Sequence, residues 1–190
     1  MSNADAILLQ CTGRMTQDQW KELKALAPEA GASGARAYGN AEETYVWFDL
    51  SPASEVKKEA ITALEGKISP LLGGAKVSGI SLRQVSDHKG ASIGFPSPIQ
   101  YVVEMDFAPG SEAELNKWYE EEHLAGLSSV EGSVRSRRYV NEAGRSFACY
   151  DLVSNLVPET AEWQKWRATP WTERVRQHHQ NMKRAVLPAL

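Results

Sequence analysis

The chain has 190 residues, of which 42% are hydrophobic and 24% are charged, and its formal net charge is −3. This length fits one large domain or two small ones, and the small negative charge gives no general attraction to nucleic acid or to an anionic membrane. No apolar run approaches the roughly 20 residues that span a bilayer. The N-terminal sequence MSNADAILLQ lacks a basic segment followed by a cleavable hydrophobic one, so we expect a cytoplasmic protein.

The first half of the chain predicts strands and helices in the order β-α-β-β-α-β. The segments, in chain order, are AILLQC, TQDQWKELKAL, GASGARAY, ETYVWFDL, ASEVKKEAITALEGKISPLL and KVSGISLRQV. Thr16 and Gln19 have the spacing of a capping box, which predicts that the first helix begins there. Alternating apolar residues and β-branched or aromatic side chains indicate the strands. We therefore assign residues 1–85 to a first unit.

The second half repeats this plan after a connector that is rich in Gly, Ser and Pro, residues 86–98. Its segments are IQYVVEMDF, a helix that Ser111 and Glu114 would cap, GSVRSRRY, SFACYDLV, PETAEWQKWRA and MKRAVLPAL. Residues 31–38 and 132–139 place Gly, Arg and Tyr at identical spacing, which indicates an internal repeat. Residues 99–190 therefore form the second predicted unit.

This element order predicts an α+β protein made of two ferredoxin-like units, each an antiparallel four-stranded sheet with both helices on one face. Each sheet then has one face without helices, and two such faces can pack together as an α/β barrel. We expect this packing within one chain, because a connector of roughly 13 residues could span ~40 Å when extended. Pairing between chains, and a homodimer, remain open alternatives.

The segment NKWYEEEHLAGL places ionisable residues on a helix that should bury one face. At about 100° per residue, Trp118 and Tyr119 belong to the apolar stripe, Glu122 falls near its centre and His123 at its edge. The two glutamates before Glu122 point away, towards solvent. A buried carboxylate and imidazole are costly unless they have partners, so this helix predicts a polar site.

The second half resembles the EthD-like proteins of the dimeric α/β-barrel superfamily, from about Ile99 to Leu190. The resemblance depends on three segments in the same order as in the family, WYEEEHL, VEGSVRSRRY and RATPWTERV. The first half resembles the same fold but lacks the motif, because Ala27 and Pro28 stand where the second half has Glu and His. The resemblance implies a site in the second half alone, with the first half as a degenerate scaffold.

The resemblance also implies that His123 faces a cavity between helix and sheet. An imidazole of near-neutral pKa can move a proton, and Glu122 could orient it or act as a second acid or base. Tyr119 or Arg138 could stabilise a developing oxyanion. The alternative is that Glu122 and His123 only form hydrogen bonds with the backbone or with Arg137 in a polar patch of the core.

Arg137 and Arg138 are neighbours in a predicted strand, so they point to opposite faces of the sheet. Arg36 occupies the position of Arg137 in the half without the motif, which favours a structural ion pair for both. Arg138 has Ala37 as its counterpart, so its charge is specific to the second half. A guanidinium there could bind a carboxylate or enolate of the substrate.

Tryptophans of the second half could form the wall of a pocket for a flat apolar or aromatic ligand, although each alone more often fills a core. We expect Trp118, Trp166 and Trp171 to bind the substrate, and Trp163 belongs to the same cluster. His178 and His179 lack metal-ligand spacing, and no phosphate-loop, dinucleotide, flavin or haem signature is present, so we expect no metal and no cofactor.

These features predict a cofactor-independent enzyme of the lyase or isomerase type that acts on a small apolar molecule, aromatic or cyclic. The reaction would be proton transfer leading to isomerisation, dehydration, elimination or cyclisation, with His123 as general acid or base. Two other functions stay open: a non-catalytic protein that binds a hydrophobic metabolite, and a cofactor-free monooxygenase with an electron-rich substrate. Since one fold hosts many functions, this step is analogy.

Overall fold

The first half follows the predicted order in the computed structural model, which describes residues 3–190. Its elements are β1 (Ala4–Thr12), α1 (Gln17–Lys24), β2 (Gly34–Gly39), β3 (Glu43–Ser54), α2 (Lys58–Leu71) and β4 (Val77–Lys89). The strands lie in the order β2-β3-β1-β4, with antiparallel pairing between neighbours. This order and the contact between α1 and α2 confirm a ferredoxin-like unit.

The predicted capping box at the start of α1 is confirmed. The backbone N–H of Gln19 donates to Thr16 Oγ1 over 3.2 Å, and the backbone N–H of Thr16 donates to Gln19 Oε1 over 2.9 Å. Apolar residues of β1, β3 and both helices then form one buried cluster that includes Leu9, Leu23, Phe48 and Ile68. Local capping and the alternation of the strands therefore specify the same structure.

The second half has the same strand arrangement but a more divided helical part. Its elements are β5 (Ile99–Phe107), α3 (Glu112–Trp118), a π-helical turn (Tyr119–His123), α4 (Leu124–Ser128), β6 (Ser133–Val140), β7 (Ser146–Leu152), a 3₁₀ turn (Val157–Glu159), α5 (Ala161–Arg167), α6 (Pro170–Arg176) and β8 (His179–Pro188). The strand order is β6-β7-β5-β8, and β7 pairs antiparallel with both β5 and β6. A second ferredoxin-like unit is confirmed.

The boundaries of the units differ in detail from the predicted ones. The first unit ends at Gln84 and also includes Leu187–Leu190, which we had assigned to the second, and the second unit is Val85–Val186. Strand β4 continues to Lys89, so the first residues of the predicted connector 86–98 are strand. The packing of the two sheet faces against each other stays a prediction. Among residues 3–190, no helix is long and apolar enough to cross a membrane.

Two predictions for the helices of the second unit are wrong. Ser111 does not cap α3: its backbone is helical, with φ −98° and ψ −1°, and its Oγ donates to the carbonyl of Ala108 over 2.6 Å. The predicted helix PETAEWQKWRA is a 3₁₀ turn followed by α5, and the separate helix α6 was missed. Thr169 caps α6 by accepting from the backbone N–H of Thr172 over 3.0 Å, and Pro170 occupies the first helical position.

The repeated arginine forms the same ion pair in both units, as predicted. Arg36 Nη2 lies 2.8 Å from Asp49 Oδ1 in the first unit. Arg137 pairs with Asp151 in the second, where each side chain is only 8% exposed. Arg137 therefore has a structural role, and the alternative that it is the partner of the polar residues on the π-helical turn is wrong.

Candidate active site

The helix that begins with α3 contains the π-helical turn Tyr119–His123, in which one extra residue widens the turn. Tyr119 is fully buried, whereas Glu120 and Glu121 are exposed as predicted. Glu122 is half-buried and does not occupy the centre of the buried stripe, because the extra residue rotates the following side chains. Such turns are rare and occur often at functional sites.

Beside this turn, the second unit contains a partly open cavity of about 550 Å³, a volume that includes space open to solvent. Its aromatic wall consists of Tyr101, Trp118, Tyr119, Tyr150 and Trp163. Its polar and basic lining consists of His123, Thr172, His179, Arg167, Arg176 and Arg184. An apolar cavity with a few convergent polar groups is the common form of a small-molecule site.

His123 lies in this cavity, as predicted, and stacks on the indole of Trp118. The ring centroids are 4.1 Å apart with 26° between the planes, and the edge of Tyr119 lies 5.7 Å away. Burial, followed by the nearby charges of His179 and Arg167, lowers the pKa of His123 to about 3, although the carbonyl of Trp166 acts in the opposite direction. The imidazole is therefore neutral at physiological pH and can accept a proton.

Glu122 is not part of the cavity lining and, within residues 3–190, forms no hydrogen bond with His123. Its Oε1 accepts from Thr169 Oγ1 over 2.6 Å, the hydroxyls of Thr169 and Thr172 are 2.9 Å apart, and Trp118 Nε1 donates to Thr172 Oγ1 over 3.1 Å. Glu122 is thus connected to His123 only indirectly. The hydroxyls of Thr169 and Thr172 link its carboxylate to the indole of Trp118, and the imidazole stacks on that indole.

Tyr119 and Arg138 form a second pair on the same helix and the adjacent strand. The Tyr119 hydroxyl donates to Met105 Sδ over 3.7 Å, and burial raises its pKa far above the usual value, so it stays protonated. The guanidinium carbon of Arg138 lies 4.8 Å from the centroid of the Tyr119 ring, and its Nη2 donates to Asn116 Oδ1 over 2.7 Å. Arg138 is not among the described residues that line the cavity, so the structure does not place it as predicted.

The tryptophans that line the cavity are not the same set as the predicted substrate-binding ones. Trp118 and Trp163 line the cavity, and Trp163 meets Tyr150 edge to face with centroids 5.2 Å apart. Trp166 packs instead on Gly126, where an added Cβ would lie 2.3 Å from the indole, and Trp171 lies 5.8 Å beneath the guanidinium of Arg174. Neither Trp166 nor Trp171 belongs to the described cavity lining, and the two residues lie on separate helices, α5 and α6.

His179 is a cavity residue that the sequence reasoning missed. Its ring lies 5.7 Å from that of Trp118, and within residues 3–190 neither ring nitrogen has a hydrogen-bond partner. Burial, followed by the charges of Arg176 and Arg184, lowers its pKa to about 4. The predicted last strand started later, and the positive φ of Asn181, 47°, interrupts the alternation that could have revealed the inward-facing residues.

The other candidate reactive groups give no second site. Within residues 3–190 there is no group of three or more His, Cys, Asp or Glu residues that could hold a metal ion. Cys11 and Cys149 are free and buried, and burial raises the pKa of Cys11 to about 12. A thiol that is protonated at neutral pH is a poor nucleophile.

No protein family model matches the sequence, and no curated protein matches it. Solved structures match over nearly the whole chain. An anthrone oxidase-like protein has a TM-score of 0.63 and 11% identity, covering 97% of this chain and 91% of that one. A monooxygenase-like protein from Listeria innocua has a TM-score of 0.61 and 11% identity, covering 98% and 95%.

A third match is an uncharacterized ferredoxin-fold protein from Listeria monocytogenes that is related to antibiotic biosynthesis monooxygenases. Its TM-score is 0.61 at 10% identity, with coverage of 98% of this chain and 95% of that one. Identities this low establish the fold and not the activity. The chain therefore has the ferredoxin-like α+β fold of these proteins.

Proposed function

We propose that the second unit catalyses the cofactor-independent oxidation of a small aromatic molecule by molecular oxygen, with His123 as the base. The observation on which this proposal depends is the neutral imidazole that stacks on Trp118 inside an aromatic cavity. The proton transfer predicted from the sequence is retained as the first step. The fold shared with monooxygenase-like and anthrone oxidase-like proteins favours oxygen, rather than isomerisation or elimination, for the second step.

The chemistry suits a substrate with an acidic methylene group next to an aromatic ring. His123 removes one proton, and the electron-rich carbanion reacts with O₂ to form a carbon–oxygen bond. The imidazolium returns its proton to the terminal oxygen, and loss of water from the hydroperoxide leaves a carbonyl. In total, CH₂ and O₂ become C=O and H₂O, so the reaction needs no other reductant.

The low pKa of His123 makes it a weak base in the free protein, so the proposed reaction requires that the substrate anion raises this pKa. Proton transfer from a neutral substrate to a neutral imidazole creates an anion and a cation together, and their attraction is strong in an aromatic cavity of low dielectric. The face of Trp118, 4.1 Å from the imidazole, stabilises the cation further. The base is therefore weak in the free protein and becomes stronger as the substrate anion forms beside it.

Tyr119 and the aromatic wall contribute two further functions. The Tyr119 hydroxyl stays protonated at neutral pH, so it can donate a hydrogen bond to an enolate oxygen of the substrate in place of its weak bond to Met105 Sδ. Tyr101, Tyr150 and Trp163 reduce access of water, which would otherwise reprotonate the carbanion before oxygen reacts. We assign both functions to these residues as part of the proposal.

The motif that supports the EthD-like resemblance coincides with this group of residues. Trp118, Tyr119 and His123 of WYEEEHL form the stacked part of the cavity, and Glu122 fixes the indole through Thr169. We therefore propose that the second unit is an EthD-like domain whose motif builds the base and its aromatic support.

Oxygen uptake by the wild-type protein tests the proposal, with anthrone as the substrate because it has an acidic methylene group next to aromatic rings. His123→Ala should lower kcat by about 10²–10⁴-fold, the usual contribution of a general acid or base. Glu121→Ala, on the exposed side of the same turn, is the matched control and should leave kcat unchanged.

Three other results would contradict the proposal, and two of them point to a different function. Oxygen uptake that survives in His123→Ala excludes this base. Exchange of substrate hydrogen for deuterium without oxygen uptake supports the isomerase type of reaction. Binding with neither exchange nor uptake supports a non-catalytic binding protein.

A further inference from the structure

The cavity described above has two chemically different parts, and only the aromatic part has a role in the proposed reaction. The other part contains three arginines and His179. Among the described residues that line the cavity, none is an aspartate or a glutamate. We propose that this basic part binds a carboxylate, so that the substrate is a small aromatic acid. This inference rests on the proposed function and names its substrate class.

The three arginines of the lining lie close to one another or to the two histidines of the cavity. Arg176 Nη2 donates to the backbone carbonyl of Arg167 over 3.0 Å, which joins the ends of α5 and α6. Arg176 and Arg184 both lie close enough to His179 to act on its ring, and Arg167 acts in the same way on His123. Arg176 and Arg184 are exposed, whereas Arg167 and His179 are half-buried, so the cluster extends from the open side inwards.

The positive charges of this cluster are poorly compensated within the protein. Within residues 3–190, neither Arg167 nor Arg184 forms an ion pair. Arg176 pairs with Glu173, one turn earlier on the same exposed helix surface, and both side chains are about half exposed. Like charges that converge on a cavity repel each other unless an anion lies between them. A guanidinium matches a carboxylate in shape and can bind it through two parallel hydrogen bonds.

His179 supplies a second and independent observation. Both of its ring nitrogens are buried, and within residues 3–190 neither has a hydrogen-bond partner. Buried polar atoms in folded proteins nearly always have a partner, so this ring is suited to a ligand group. A carboxylate beside it would accept a hydrogen bond from the ring and would favour its protonated form.

The aromatic residues and the basic residues of the cavity lie close enough together to contact one bound molecule. Trp118 contacts both histidines, with ring centroids 4.1 Å from His123 and 5.7 Å from His179. A flat ring beside the aromatic wall can therefore present its acidic carbon to His123 while its carboxylate lies at the basic end. Such a carboxylate would orient the substrate before proton transfer, which is an effective use of binding energy.

Pairs of aromatic acids and their neutral primary amides test the inference by binding alone. Suitable pairs are benzoate with benzamide, phenylacetate with phenylacetamide, and 2-hydroxybenzoate with 2-hydroxybenzamide, measured by titration calorimetry and by quenching of tryptophan fluorescence. We expect at least one acid to bind 10-fold or more tightly than its amide. Arg167→Gln and Arg184→Gln should each weaken binding of that acid by about 10–100-fold, the usual value of a hydrogen bond to a charged group.

Two further variants separate charge at the cavity from charge elsewhere. Arg184→Lys keeps the positive charge but not the fork of donors, so it should lose less affinity for the acid than Arg184→Gln. Arg174→Gln removes an arginine of α6 that lies over Trp171 and pairs with Glu114, outside the cavity lining. This control should bind acids and amides as the wild type does.

The outcomes distinguish the inference from the proposed function. Equal affinity for acids and amides, no binding of any acid, or an equal loss in Arg174→Gln would overturn the inference. If amides bind as well as acids while neutral aromatics are oxidised through His123, the proposed function holds and the inference fails. If acids bind through Arg167 and Arg184 but no aromatic compound, acid or neutral, supports oxygen uptake, the inference holds and the proposed function fails.

Discussion

The imidazole of His123 lies nearly parallel to the indole of Trp118, with ring centroids 4.1 Å apart and 26° between the planes. The same indole donates its N–H to Thr172 over 3.1 Å, so its orientation is fixed from the opposite side. The face of an aromatic ring attracts a protonated imidazole more strongly than it attracts a neutral imidazole. This relationship therefore matters most after His123 has taken a proton.

Trp118→Leu should lower kcat for the proposed reaction, because it removes the aromatic face from the imidazolium. A cation–π contact is worth about 0.5–2 kcal/mol, which corresponds to a decrease of about 2–30-fold. Steady-state oxygen uptake measures the effect. Trp171→Leu removes an indole outside the described cavity lining and is the control. An equal decrease in both variants would show a general loss of structure instead.

The stability of the protein should fall as the pH is lowered from about 6.5 towards 4. The folded-state pKa values of His123 and His179 are depressed to about 3 and about 4, from an ordinary value of 6.5. Below pH 6.5 the unfolded chain therefore binds protons that the folded chain does not, and this favours unfolding. Above pH 6.5 both histidines are neutral in both states and contribute no pH dependence.

Urea unfolding of His123→Gln and His179→Gln at pH 7 and at pH 4.5 tests this explanation. Each variant should lose less stability than the wild type between the two pH values, because it lacks one of the two histidines. His178→Gln, which replaces the neighbouring histidine outside the described cavity lining, is the control. An unchanged pH dependence in both cavity variants would contradict the depressed pKa values.

Glu122 and Thr169 should be coupled energetically, because Thr169 donates to the Glu122 carboxylate over 2.6 Å. A double-mutant cycle with Glu122→Ala and Thr169→Val, measured by urea unfolding, should give an interaction energy of about 0.5–3 kcal/mol. Replacing the exposed Glu121 in the same cycle should give an interaction near zero. Additive effects of Glu122→Ala and Thr169→Val would refute the hydrogen-bond chain.

The two copies of the Arg–Asp pair should differ in their contribution to stability. Asp151→Asn leaves Arg137 buried without its counter-charge, and breaking a buried pair usually costs about 3–5 kcal/mol. Asp49→Asn affects a pair that is 21% and 37% exposed, where the cost should be about 0–1 kcal/mol. Urea unfolding compares them directly. Equal losses would mean that the difference in burial has no consequence for stability.

The fold could be predicted from the sequence because several local signals agree. The alternation of the strands and the Thr16–Gln19 capping box specify the first unit, and the repeat of Arg36 at Arg137 revealed a shared ion pair. The order β-α-β-β-α-β in each half then leaves few topologies. The fold required no knowledge of where individual side chains meet.

The site could be predicted only in part, because irregular backbone determines which side chains converge. A helical wheel assumes a constant 100° per residue and does not describe the extra residue of the π-helical turn. Glu122 was therefore assigned to the buried stripe. His179 lay before the predicted start of the last strand, and the positive φ of Asn181 interrupts the strand alternation just after it. The separate helix α6 was also not predicted, and Trp166 packs on Gly126 instead of lining the cavity.

The π-helical turn of the second unit has no counterpart in the first, where α1 is an α-helix of eight residues that ends at Lys24. Ala27 and Pro28, which align with Glu122 and His123, lie beyond the end of that helix. After a duplication, the two copies could therefore diverge within a single helix. A difference within this helix therefore distinguishes the two units, while the order of their strands is the same.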